Sequence, residues 1–194
     1  MDVSVNSYSA LIVSGNEQFN IAISSMLPKG SFHSISIAKS IASAKREVAQ
    51  KDFDFIIINS PLSDDLGMRF AIDCSNSNKS IVLFIIQNEF YNQTYAKLSD
   101  YGVFTLPKPL SKQSTITSLR WMLTAKKRLE SAEKKSVKME DKMEEIRLVN
   151  KAKWLLISKE GLLEPEAHKF LEKEAMNRCI TKKEVATQII EKYS

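Results

Sequence analysis

The residues of this chain that could do chemistry are few and scattered. His33 and His168 have no carboxylate or serine at a spacing that would make a catalytic couple. Cys74 and Cys179 lie far apart without metal-ligand spacing, so reduced thiols in a cytoplasmic protein are expected, and no metal or cofactor is called for. An enzyme is the least expected class. What remains is charge. The net charge is +5, and from Lys126 onward there are 17 Lys and Arg against 13 Asp and Glu, whereas the preceding part has 11 against 10. A basic excess confined to one end suits a phosphate-bearing partner, although solvated helix faces carry mixed charge too.

Three parts must position these groups: residues 1–118, 119–146 and 147–194. In the first, short apolar runs alternate with helix-like segments. Strands are expected at Ala10–Val13, Ser34–Ile37, Phe53–Ile58, Ile81–Ile86 and Gly102–Leu106. The runs Phe53–Ile58 and Ile81–Ile86 are continuous, as strands covered on both faces should be. Five such units imply an α/β, flavodoxin-like parallel sheet with helices on both sides, whose functional loops follow the carboxyl ends of the strands. Those loops hold Ser14-Gly15-Asn16, Asn59-Ser60-Pro61, Gln87-Asn88 and Leu106-Pro107-Lys108-Pro109.

This first part resembles the receiver domain of response regulators. Lys108-Pro109 matches the receiver's Lys-Pro step after its fifth strand, and Asp65-Leu66-Gly67 its acidic-x-Gly segment after the third. The resemblance implies a phosphorylation site, and the residues here depart from it. Mg²⁺ requires hard oxygen ligands, yet Ser14 and Gly15 stand where the receiver's acidic pair belongs. Asn59 replaces the phosphoryl-accepting aspartate and Gln87 the hydroxyl residue; Lys108 alone remains. Asp64 and Asp65 are read as loop carboxylates rather than a relocated acceptor. The expectation is a pseudo-receiver with a degenerate site, open to control by a regulatory protein or a ligand.

Lys112 to Asn150 holds no Gly and no Pro, which permits one long helix. Met122, Ala125, Leu129, Ala132, Ser136, Met139, Met143 and Ile146 recur at alternating steps of three and four, a coiled-coil seam that predicts a parallel homodimer. A solvated linker helix packing on its own domains is the other reading of the same pattern.

The last part reads as an all-α three-helix bundle, with breaks at Gly161 and around Cys179–Thr181, Pro165 opening the middle helix, and a Thr181/Glu184 capping box opening the last. Ala152-Lys153, Leu155-Leu156, Gly161-Leu162, Glu164 with Glu166-Ala167, Leu171, Ala175-Met176-Asn177-Arg178 and Glu184-Val185-Ala186 together resemble the ANTAR domain. That family implies RNA binding in transcription antitermination, with hairpins of a leader transcript as the partner. By resemblance Ala152, Lys153, Ala175 and Arg178 are candidate RNA contacts; Lys151, Lys182 and Lys183 join them on charge and position. Trp154 departs from the family, which has a small residue there. A DNA-binding regulator and a protein-interaction regulator without nucleic acid are the competing classes. No apolar run is long enough to cross a membrane.

Overall fold

A computed structural model describes residues 7–77 and 80–193. The chain divides into two compact units, one up to Arg128 and the other from Leu129.

The first unit holds β1 (Tyr8–Val13), α1 (Glu17–Met26), β2 (Phe32–Ala38), α2 (Ile41–Gln50), β3 (Phe55–Asn59), α3 (Met68–Asn76), β4 (Ile81–Gln87), α4 (Tyr91–Leu98), β5 (Phe104–Lys108) and the first turns of α5 (Lys112–Glu160). All strands pair in parallel in the order β2-β1-β3-β4-β5, which reverses direction beside β1 and opens a crevice at the carboxyl ends of β1 and β3. Alternation along each strand builds two cores. Leu11, Val13, Ile56, Ile58, Val82 and Phe84 face one way, toward Ile41 and Ala44 of α2 and Phe70, Ala71 and Cys74 of α3. Ala10, Ile12, Phe55, Ile57, Leu83 and Ile85 face the other, toward Ile23 of α1 and Leu119 and Met122 of α5. The expected α/β receiver-like architecture is thus the one observed.

Met122 corrects the expected dimer seam. Its side chain is 0 % exposed inside the second of these cores, because the sheet lies beneath it; it packs within its own unit. The later seam residues Ala132, Ser136, Met139, Met143 and Ile146 are exposed.

The second unit contains the remainder of α5, α6 (Glu164–Asn177) and α7 (Lys182–Tyr193). Gly161 takes φ +70°, the left-handed turn that ends α5 at little steric cost. The Leu163 N–H donates to Glu166 and Pro165 occupies the first turn of α6. Cys179 takes φ +50° between α6 and α7. Thr181 and Glu184 exchange reciprocal bonds, Thr181 N–H to Glu184 Oε2 at 2.7 Å and Glu184 N–H to Thr181 Oγ1 at 3.2 Å. The core is Ala152, Leu156, Ala167, Leu171, Ala175, Val185, Ala186 and Ile189. Among the described residues no helix is long and apolar enough to cross a membrane.

Candidate functional site

The crevice of the first unit is held together by neutral groups. Ser14, just past β1, is fully buried. Its Oγ accepts from the Asn16 N–H at 3.1 Å and from Asn59 Nδ2 at 3.0 Å. Asn20, from α1, donates to the Ser14 carbonyl at 3.3 Å. Two uncharged side chains therefore bond each other across the ends of β1 and β3. Lys108 Nζ donates to the Ser60 carbonyl at 2.6 Å, and burial holds its ammonium below the usual lysine range. Gln87 and Lys108 are partners in the β4–β5 register; Gln87 and Gly15 are exposed. The fold thus gathers Ser14 with Asn59, and Gln87 with Lys108, at the carboxyl ends of the strands. No group of three or more His, Cys, Asp or Glu positioned to hold a metal ion occurs among the described residues.

Asp64 has a task the sequence did not show. Its carboxylate accepts the Ile41 N–H at 3.0 Å and the Ala42 N–H at 2.9 Å, at the amino end of α2. The bonds from Ala42 and Ile41 hold its pKa below the ordinary value, as a helix N-terminus should. Asp65 bonds the Gly67 N–H. Gly67 sits at φ +82°, and a Cβ there would meet Ile41 Cδ1 at 3.0 Å and Ile58 Cγ2 at 3.2 Å, so both backbone and packing call for glycine. Beyond this turn a cavity of about 270 Å³ is lined by Leu66, Met68, Ile86, Phe90, Thr94 and Lys97.

Asp54 and Lys126 form an ion pair at 3.0 Å, the lysine side chain 9 % exposed, that also went unread in the sequence. Asp54 accepts from the Ser9 N–H at 2.9 Å and Ser9 Oγ at 3.1 Å. Burial pushes its pKa up, but the Ser9 bonds and the Lys126 charge outweigh that and leave it below the ordinary carboxylate value. Cys74 is free and buried, and burial raises its thiol to about 12.

In the second unit the candidate contacts separate by burial. Ala152 is 0 % exposed and Ala175 8 %. Both belong to the bundle core, where a methyl side chain lets helices approach, so neither presents its side chain to a partner. Lys151 and Arg178 are exposed. Lys153 pairs with Glu164 at 2.8 Å and Lys182 with Glu172 at 3.3 Å. Lys183 bonds Glu144 closely; that bond lowers the Glu144 pKa and raises that of Lys183. His168 lies 3.3 Å from Glu172 on the outer face of α6. Arg178 borders a cavity of about 210 Å³ with Phe170, Glu174, Gln188, Lys192 and Tyr193. Trp154 is 71 % exposed.

Comparison with known proteins follows this division. Residues 137–190 match the ANTAR domain family. The chain is 31 % identical over 147 residues to the transcriptional regulatory protein PdtaR of Mycobacterium tuberculosis strain H37Rv, covering 75 % of this chain and 70 % of that one. It belongs to the response regulators that join a receiver to an ANTAR domain. The same match holds for PdtaR of strain CDC 1551. Among solved structures, a two-component transcriptional regulator AraC from Clostridium phytofermentans ISDg is similar with TM-score 0.57 and 13 % identity, over 64 % of this chain and 98 % of that one. A two-component response regulator from Clostridium difficile gives TM-score 0.52 and 19 % identity, over 61 % and 97 %. At those identities the likeness establishes the receiver fold alone. The receiver–ANTAR pairing makes the chain an antitermination-type response regulator, a regulatory rather than a catalytic family.

Proposed function

We propose that this receiver–ANTAR regulator binds stem-loops in nascent leader RNA through its second unit, and so keeps a competing terminator hairpin from forming. One observation carries the reading. Within the ANTAR match, the stretch 146–159 (IRLVNKAKWLLISK) holds Arg147, Lys151, Lys153 and Lys159 and no acid, in a helix whose preceding turns mix both signs. A run of cations without carboxylates is the footprint of a polyanion. Lys151 and Arg178, both exposed, are the leading phosphate contacts. Lys153, Lys182 and Lys183 are secondary, because a phosphate must first displace their carboxylate partners.

The first unit then acts as a receiver fold without phosphoryl transfer. The Asn59–Ser14 hydrogen bond supports this: an amide donates to a hydroxyl where the chemistry needs a carboxylate nucleophile and a bound cation. The exposed seam Ala132, Ser136, Met139, Met143 and Ile146 supports a parallel homodimer. Two RNA-binding heads on one dimer fit a pair of hairpins, the second contact gaining effective concentration from the first.

The test is competition at fixed salt between stem-loop RNA and duplex DNA for the full chain, with the variant Lys151→Ala plus Arg178→Ala alongside. RNA is expected to win, and the double variant to lose about tenfold or more of the affinity while keeping its circular dichroism spectrum. A preference for duplex DNA would make this a DNA-binding regulator. Failure of both nucleic acids would make it a protein-interaction regulator.

A further inference from the structure

Trp154 stands outside everything the fold needs. Its neighbours Ala152 and Leu156 are 0 % and 1 % exposed and fill the bundle core, while the indole is 71 % exposed. It is not a seam position either, since the step pattern ending at Ile146 continues through positions 150, 153 and 157. On a helix, residues three, four and seven apart share a face. That places Asn150, Lys151 and Ser158 beside the ring and Arg147 two turns before it, all four exposed. From Ile146 to Lys159 α5 contributes no carboxylate to this face. A large flat apolar ring left in water among cations and neutral donors, with no acid from 146 to 159, fits an unpaired base carried on a phosphate backbone. Sequence-reading of RNA works mainly on such unstacked loop bases, set against aromatic rings, whereas an intact duplex offers no free base face.

We propose that Trp154 is a stacking platform for one unpaired base of an RNA loop, with Lys151 and Arg147, on the preceding two turns of the same face, holding the phosphates of the adjoining backbone. The inference rests on the RNA reading above and adds to it the residue that reads the loop. Lys151 supplies charge without regard to sequence; the indole supplies preference for a splayed-out base. Each makes a different signature. Loss of a phosphate contact flattens the salt dependence of binding, and loss of a stacking ring leaves it unchanged.

The experiment uses the full chain carrying Trp121→Phe, so that Trp154 is the only tryptophan. Stem-loop RNAs with one fixed stem and a fully randomised loop are selected for binding, and the best is titrated beside a loop-less duplex of the same stem. The selected stem-loop is expected to quench Trp154 fluorescence and the duplex to leave it unchanged. Trp154→Ala should weaken binding about tenfold or more with the salt slope intact, Trp154→Phe should keep most of the affinity, and Lys151→Ala should lower the slope by about one. If Trp154→Ala binds within about twofold of its parent while Lys151→Ala plus Arg178→Ala loses binding, the stacking role is wrong and the RNA reading stands. If no stem-loop is selected, both fall. If Trp154→Ala shifts self-association and leaves RNA affinity alone, the ring faces a second copy of the chain and the proposal is overturned.

Discussion

Ala152 decides between two roles that look alike in sequence, and Ala152→Leu separates them. The side chain is fully buried among Leu156, Ala167, Leu171, Val185 and Ala186. Half of that core is alanine, so the helices meet closely and leave little space for larger groups. Forcing three more carbons into such a site costs about 1–3 kcal/mol through displaced side chains and backbone shifts. A unit of this length has roughly 3–10 kcal/mol of stability in all. The variant should therefore fold and open more often. Hydrogen exchange read by mass spectrometry on the full chain resolves the two units separately. Amide protection in peptides from α6 and α7 should fall roughly 5–150-fold, while peptides from β1, β3 and β4 stay unchanged. If protection in α6 and α7 were unaltered and RNA binding were lost, Ala152 would be a surface contact, and the assignment of this alanine to the core would be refuted.

Incubated with acetyl phosphate and Mg²⁺, the full chain should show no acid-labile adduct of phosphate mass; a stoichiometric adduct would overturn the reading of Ser14, Gly15, Asn59 and Gln87. Met143→Lys should abolish the dimer in micromolar sedimentation without loss of helix content, whereas Met122→Lys, which puts a charge into a fully buried site, should lower the melting temperature of the sheet unit; a wild-type chain that sediments as a clean monomer would sink the seam. Asp54 has a folded-state pKa below its ordinary 3.8, so it stabilises the protein above that value and the contribution is lost as pH falls through the folded value. Asp54→Asn should thus cost about 1–3 kcal/mol in urea unfolding at neutral pH, with the gap to wild type closing below about pH 4; a gap of constant size would refute the ionic account.

The elements were legible wherever a single physical cause dominates. Strands β3 and β4 are covered on both faces, and their unbroken apolar runs say so; β2 at the sheet edge leaves Ile35 and Ile37 41 % and 50 % exposed and alternates instead. Helix α5 runs its whole length because nothing in it breaks a helix before Gly161. Burial of a given seam residue was not legible, since it depends on what lies beneath. Met122 and Met143 share a residue type and a periodic position, yet one sits on a sheet and is 0 % exposed while the other is 66 % exposed. Long-range pairings were invisible for a related reason. Asp64 capping α2 joins residues more than twenty apart, and Lys126 reaching Asp54 joins residues more than seventy apart; no local pattern encodes either.

The candidate site shows the same limit from its other side. A small residue that lets RNA approach and a small residue that lets a helix approach are spelled identically, and the family pattern marks Ala152 and Ala175 without saying which they are. Charge has the same ambiguity. Lys151, Lys153, Lys182 and Lys183 are equal in a count, but three of them already have a carboxylate within hydrogen-bonding distance. An exposed ion pair of that kind is worth little in water, so a phosphate can displace it; the exchange still costs the carboxylate its partner and places two anions side by side. A cation without such a neighbour gives its full interaction to the incoming phosphate. The order of importance within the basic surface is therefore set by the acids around each lysine, and it follows that Lys151→Ala should cost more RNA affinity than Lys183→Ala although both remove one charge.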